Sequence, residues 1–190
     1  NEEDVVAYYN EYTKVCDIFG TGKTKGYWSS SGRVGGYLTK FRDLETLNVN
    51  EGITSIGARI FYAQESSASH YYPKNLKTVN LPSTLEVIGS GAFQNSALQE
   101  VTIPSAVTTI NNDAFGGIDN LVVKNYSQVN QTIENSAFPD LSTLYLYSTN
   151  QNMLAQTVDM TDPTIIFLDK PATSGTLENG VTWVYDVESS

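Results

Sequence analysis

The sequence predicts a repeat solenoid of the α/β type, one domain of stacked units each about twenty residues long with a cover at either end. Three observations lead there. First, a phrase of apolar residues is written twice: Leu76, Val79, Leu81-Pro82, Leu85, Ile88 and Ala92-Phe93, then Leu98, Val101, Ile103-Pro104, Val107, Ile110 and Ala114-Phe115. Second, the same offsets run from Leu44 through Leu47, Val49, Ile53 and Ile56 to Ile60-Phe61. Third, the hinge is repeated, because Leu44, Ile118 and Leu141 stand at one fixed distance after Phe41, Phe115 and Phe138. A unit this short cannot bury its apolar face alone, so its neighbours must complete the core.

Along the chain, Val5, Tyr8, Tyr9, Tyr12, Val15, Cys16 and Phe19 fall at steps of three and four, which predicts an amphipathic helix over 4–19 covering the first unit. Gly20 to Gly36 reads as irregular coil anchored by Tyr27-Trp28. In each following unit two apolar residues two apart face inward on a short strand and the residue between them faces out; Pro82 and Pro104 end the strand without removing a bond from its middle. This places strands near 47–49, 78–81, 100–103, 121–123 and 144–146, side by side in one sheet. Asn48, Asn80, Thr102, Val122 and Tyr145 then share the outer face, beside Thr78, Glu100 and Thr143. Gly57, Gly89 and Asn111 after the Ile step predict a turn with positive φ, and Phe61, Phe93, Phe115 and Phe138 an internal stack. The insertion 62–75 carries His70, Tyr71 and Tyr72. A short helix near 150–158, a strand at Ile165–Leu168 and a hairpin turning at Asn179-Gly180 form a C-terminal cap.

Composition narrows the function. The chain has 190 residues, 40% hydrophobic, with a formal charge of −10. That suits a packed core and disfavours nucleic acid, which needs clustered Lys and Arg. Cys16 is the one cysteine, so the chain builds neither an internal disulfide nor a thiol metal site. No stretch approaches the roughly 18 apolar residues of a membrane span, so no direct membrane insertion is expected.

Catalytic patterns are weak. Gly22-Lys23-Thr24 suggests a phosphate loop, but Asp17 stands where that motif requires glycine. His70 is the single imidazole, in an insertion flanked by Ser and Tyr, which fits a surface loop better than a nucleophile's base. Asp159, Asp162 and Asp169 are too dispersed for a calcium loop. The expectation is no enzyme, no cofactor and no metal; paired carboxylates converging from different units are the least favoured alternative. Twelve tyrosines supply contact area at low entropy cost. Tyr145 and Tyr147, with Thr102 and Asn80 on the same outer face, are the candidate partner-binding residues, and His70, Tyr71 and Tyr72 are the rival set.

The repeated phrase resembles the BspA-type leucine-rich repeat, L-x-x-V-x-I-P-x-x-V-x-x-I-G-x-x-A-F, over about 34–147 and most closely over Leu76–Phe115. Where that family often carries Cys three residues after the Phe, this chain has Ser96, Ile118 and Leu141. The resemblance implies a leucine-rich-repeat-like right-handed stack with a parallel sheet on one face; the cap helix and coil over 1–33 and the degenerate repeat and capping strands over 148–190 are expected from the residues alone. It also implies a bacterial cell-surface or secreted protein that adheres to a host or neighbouring-cell protein or glycan; a monomer is expected. A structural spacer within a larger surface protein is the alternative.

Overall fold

Strand alternation, not helical spacing, governs the start of the chain in the structure, a computed structural model that describes residues 5–26, 41, 43–61, 63–66, 69–71, 73–139, 141–157, 160, 163–169, 174–176 and 182–185. Where three-and-four spacing predicts a helix over 4–19, β1 (Val6–Asn10) and β2 (Val15–Phe19) form an antiparallel hairpin. The apolar residues satisfy both periods, and β-branched and aromatic side chains decide for the strand. Asn10 starts the turn, its Oδ1 accepting from the Tyr12 and Thr13 N–H groups, and Lys14 closes it at φ 59°. Val5, Ala7 and Tyr9 pack on the core, whereas Tyr8, Tyr12 and Phe19, assigned by the helical reading to the buried face, are exposed.

The chain continues through β3 (Gly22–Lys23), β4 (Thr46–Val49), β5 (Ile53–Ile56), β6 (Ala63–Ser66), β7 (Ser69–Tyr71), β8 (Thr78–Asn80), β9 (Val87–Ile88), β10 (Glu100–Ile103), β11 (Thr109–Ile110), β12 (Leu121–Asn125), β13 (Thr132–Ile133) and β14 (Leu141–Leu146). It ends with α1 (Gln151–Ala155), β15 (Thr164–Phe167), β16 (Ser174–Thr176) and β17 (Thr182–Tyr185). Among the described residues α1, of 5 residues, is the only α-helix, so the expected α/β class gives way to an almost wholly β repeat. The C-terminal expectations correspond to α1, β15 and the β16–β17 pair; Asn179-Gly180 lies outside the described residues, as do Tyr27-Trp28.

First strands of successive units pair in parallel as β2-β4-β8 and as β10-β12-β14-β15-β17, with β1 and β16 antiparallel at the two ends. The expected single sheet is thus two: no ladder joins β8 to β10, although the Ala97 N–H donates to the Leu76 C=O at 2.9 Å. The returning segments form a second face, β13-β11-β9-β5-β3. Between the two faces lies one apolar cluster in which Phe61, Phe93, Phe115 and Phe138 stack with centroids 6.4, 5.4 and 5.2 Å apart. The spacing from rung to rung is 31 residues between Asp17 and Asn48 and 32 between Asn48 and Asn80, then 22 between Glu86 and Thr108, so the early units carry the long insertions.

The Ile-Gly steps have a different cause from the one expected. Gly57, Gly89 and Asn111 do not have positive φ. A Cβ on Gly89 would lie 2.5 Å from the Ile56 O and 2.7 Å from the Ala58 N, and one on Gly57 would fall on Gly26, so glycine is required by backbone-to-backbone contact between units. Asn111 ends that run and instead donates from Nδ2 to the Ile88 C=O at 3.0 Å.

A second core feature escaped the apolar pattern. Asn125 fills the slot that Ile103 fills one unit earlier, and it is fully buried with Gln131 and Asn150. Gln131 Oε1 accepts from Asn125 Nδ2 at 2.7 Å and from Asn150 Nδ2 at 2.6 Å, while Gln131 Nε2 donates to the Val107 C=O at 2.7 Å. Asn150 also caps α1, accepting from the Met153 N–H. A buried amide is tolerated only when its donors and acceptors are met, and here two bonds to Gln131 Oε1 link the three amides while backbone groups supply their further partners.

Candidate binding surface

The outer face of the first-strand sheets is set by register. Tyr8 stands opposite Asp17, Asp17 beside Asn48 and Asn48 beside Asn80; in the second sheet Thr102, Lys124, Tyr145 and Ile166 are neighbours. A parallel row on the same face runs Glu100, Val122, Thr143, Thr164. Val122 therefore belongs beside Glu100 and Thr143, and Lys124 takes the place expected for Val122 between Thr102 and Tyr145. The apolar pattern placed the strand two residues early, because the inward slot at its end holds Asn125, a polar residue.

Two distinct ends result. At the N-terminal end the side chains are tied in a polar ladder, with Asn48 Nδ2 donating to Asp17 Oδ1 at 2.8 Å and Asn80 Nδ2 donating to Asn48 Oδ1 at 2.7 Å. At the C-terminal end Lys124 Nζ is paired with Glu100 Oε1 at 2.9 Å. That hydrogen bond, with the negative charge on Glu100, holds the Lys124 pKa above its ordinary value. Lys124 stands between Thr102 and Tyr145 and, like any lysine, is a cation through the physiological range. Tyr145, Tyr147 and Ile166 are half-buried, and Tyr126 and Val129 are exposed.

Of the residues expected from sequence, Tyr145 and Tyr147 stand at the C-terminal end, Thr102 is exposed one strand from Lys124, and Asn80 is exposed but belongs to the other sheet's ladder. His70 and Tyr71 lie on β7, paired with β6 as a separate antiparallel hairpin and described in backbone only; Tyr72 lies outside the described residues. Sequence reading missed Lys124, Tyr126 and Ile166. The available signal was the recurrence of Lys124-x-Tyr126 in one unit and Tyr145-x-Tyr147 in the next.

Several of the described carboxylates tie units together. Glu51 accepts from the Ser83 N–H and hydroxyl, which lowers its pKa, and Asp169 accepts from the same two groups of Ser148. Glu45 pairs with Lys77. Among the described residues no group of three His, Cys, Asp or Glu is placed to hold a metal ion, and no helix is long and apolar enough to cross a membrane.

Short parallel strands recurring with a stacked Phe and an inter-unit Gly contact define a leucine-rich-repeat-like protein. The model of the BspA type leucine-rich repeat region matches residues 64–159 in 6 copies, and the chain belongs to that family. Its fold is similar to that of a leucine-rich repeat protein from Eubacterium ventriosum, known from a crystal structure, with a TM-score of 0.50 and 21% identity over 79% of this chain. The chain spans 43% of that protein's length. No curated relative matches the chain.

Proposed function

We propose that the chain is a non-enzymatic binding module acting in adhesion at a bacterial cell surface or in secreted form. In this reading the repeats form a right-handed solenoid that meets a protein partner with the C-terminal end of its outer strand face. The observation that carries the reading is the register that sets Lys124, paired with Glu100, beside Tyr145 and Tyr145 beside Ile166, with exposed Tyr126 two residues along from Lys124. Tyrosines beside an aliphatic neighbour match the aromatic-rich centres of protein interfaces, and the part-exposed Lys124–Glu100 pair suits the charged rim around them. Thr102 borders this centre as a polar rim residue. The surface is complete within one chain, so a monomer suffices.

The test is a panel of immobilised host matrix proteins and glycans probed with the wild type, with Tyr145→Ala plus Tyr147→Ala, and with Tyr71→Ala plus Tyr72→Ala. The proposal predicts capture of a protein ligand that weakens about tenfold or more, roughly 1.4 kcal/mol, in the first double variant only. Loss confined to the second would move the site to the β6–β7 hairpin, where His70 would join it. Capture of glycans alone at the Tyr145 end would replace the protein partner, and no capture at all would favour a spacer.

A further inference from the structure

We infer that the N-terminal end of the outer strand face is a separate subsite for an extended, uncharged polysaccharide, stacked on Tyr8 and Phe19 and hydrogen-bonded by the Asp17–Asn48–Asn80 ladder. Tyr8 is opposite Asp17 and Val6 opposite Phe19 in the β1–β2 pair, so all four share one face with the ladder. Tyr8 is 61% exposed, Val6 62% and Phe19 47%, an apolar group at the margin of a sheet that needs none of them for its core. All three are among the six exposed large hydrophobics described.

The ladder supplies the polar half of sugar recognition. A carboxamide has two N–H donors and an acceptor oxygen, and a carboxylate only accepts. Bonding along the row uses one N–H each of Asn48 and Asn80 and fixes the amide planes, leaving each a second N–H in a set direction. Vicinal sugar hydroxyls both donate and accept, and their partners here are already ordered, so little side-chain entropy remains to be lost on binding. Successive rungs are about 4.8 Å apart, comparable to the length of one pyranose unit in an extended chain. Consecutive sugars can therefore meet Asp17, Asn48 and Asn80 in turn while the C–H faces at one end rest on the exposed rings.

Charge selects among glycans. The row from Tyr8 through Asp17 and Asn48 to Asn80 contains a carboxylate and no cation, and the chain carries −10 overall. An anionic polysaccharide would be repelled there, whereas a neutral one meets only hydroxyl-compatible groups. The cation on this face, Lys124, belongs to the other sheet.

Calorimetric titration of the full chain tests the assignment, with cellohexaose, laminarihexaose and mannohexaose as neutral probes and a hyaluronan hexasaccharide as the anionic one. At least one neutral probe should bind, and Tyr8→Ala should weaken it about tenfold, or about 1.4 kcal/mol, while Tyr8→Phe keeps it. Asn80→Ala should also weaken it. Tyr145→Ala plus Tyr147→Ala should leave it unchanged, which separates this subsite from the C-terminal one. Both Tyr8 and Asn80 are exposed, so these variants keep the fold. Failure of all three neutral probes, tighter binding of hyaluronan, undiminished binding in Tyr8→Ala plus Asn80→Ala, or a Tyr8-dependent protein ligand in place of sugar would each overturn the inference.

Discussion

Phe115→Ala is the sharpest test of how the units hold together. Phe115 is fully buried, with ring centroids 5.4 Å from Phe93 and 5.2 Å from Phe138, the two planes inclined by 25° and 10°. Truncating a closed-in Phe costs about 3–5 kcal/mol, from lost transfer energy and the cavity left behind. Two stacked contacts add about 0.5–1.5 kcal/mol each beyond area, so the cost should reach the upper end of that range, about 5 kcal/mol. Phe138 is the end ring of the described stack, touches one Phe and is 7% exposed, so Phe138→Ala should fall near the lower end, about 3 kcal/mol. Urea unfolding followed by circular dichroism supplies both values, provided that the slope m is unchanged between variants. A Phe115→Ala cost under about 2 kcal/mol, or one no larger than that of Phe138→Ala, would refute the stacked-core reasoning.

Three further outcomes follow from the same packing. Gly89→Ala should destabilise by about 1–3 kcal/mol, because its Cβ would meet backbone atoms of the preceding unit that cannot rotate away; an unchanged melting temperature would deny the inter-unit contact. Asn150→Ala should cost at least about 2 kcal/mol in the same urea assay, since it strips a donor from Gln131 Oε1 and the cap from the Met153 N–H within the core. Burial pushes the Cys16 thiol up to about 12, so its ionisation above the unfolded value favours the unfolded chain and stability should fall progressively as pH rises from about 9 towards 12. Cys16→Ala should flatten that alkaline slope, and Ellman's reagent should label wild type only after unfolding.

The units between Leu76 and Phe115 were legible because every inward slot is apolar and proline marks each strand's end. Where those conditions lapse, so does the reading. Val5 to Phe19 satisfies both a helical and an alternating period, and the β-branched and aromatic content together with the turn chemistry of Asn10 and Lys14 separates them. Register near Val122 was hidden because the core accepts Asn125 by pairing it with Gln131 and Asn150, residues 6 and 25 positions on that no apolar period connects. Gly57 and Gly89 were recognised as constrained, but sequence alone does not distinguish a positive φ from a backbone pressed against its neighbour. Alternation placed Tyr145 and Tyr147 on the outer face; Lys124 was placed beside Tyr145 only once Asn125 had fixed the register. The Asp17–Asn48–Asn80 ladder needed the N-terminal strand, and so was out of reach while Val15–Phe19 read as helix.

The claim that partners are met on the outer strand face is most directly tested by blocking it. Thr143 lies on that face beside Val122 and Thr164, and Thr109 lies on the opposite sheet; both are half-buried. Capture of the protein ligand found in the matrix panel should be measured for Thr143→Arg and Thr109→Arg, each first shown to melt like wild type. The account predicts that Thr143→Arg abolishes capture and Thr109→Arg preserves it; undiminished capture by Thr143→Arg, or loss with Thr109→Arg alone, would contradict it.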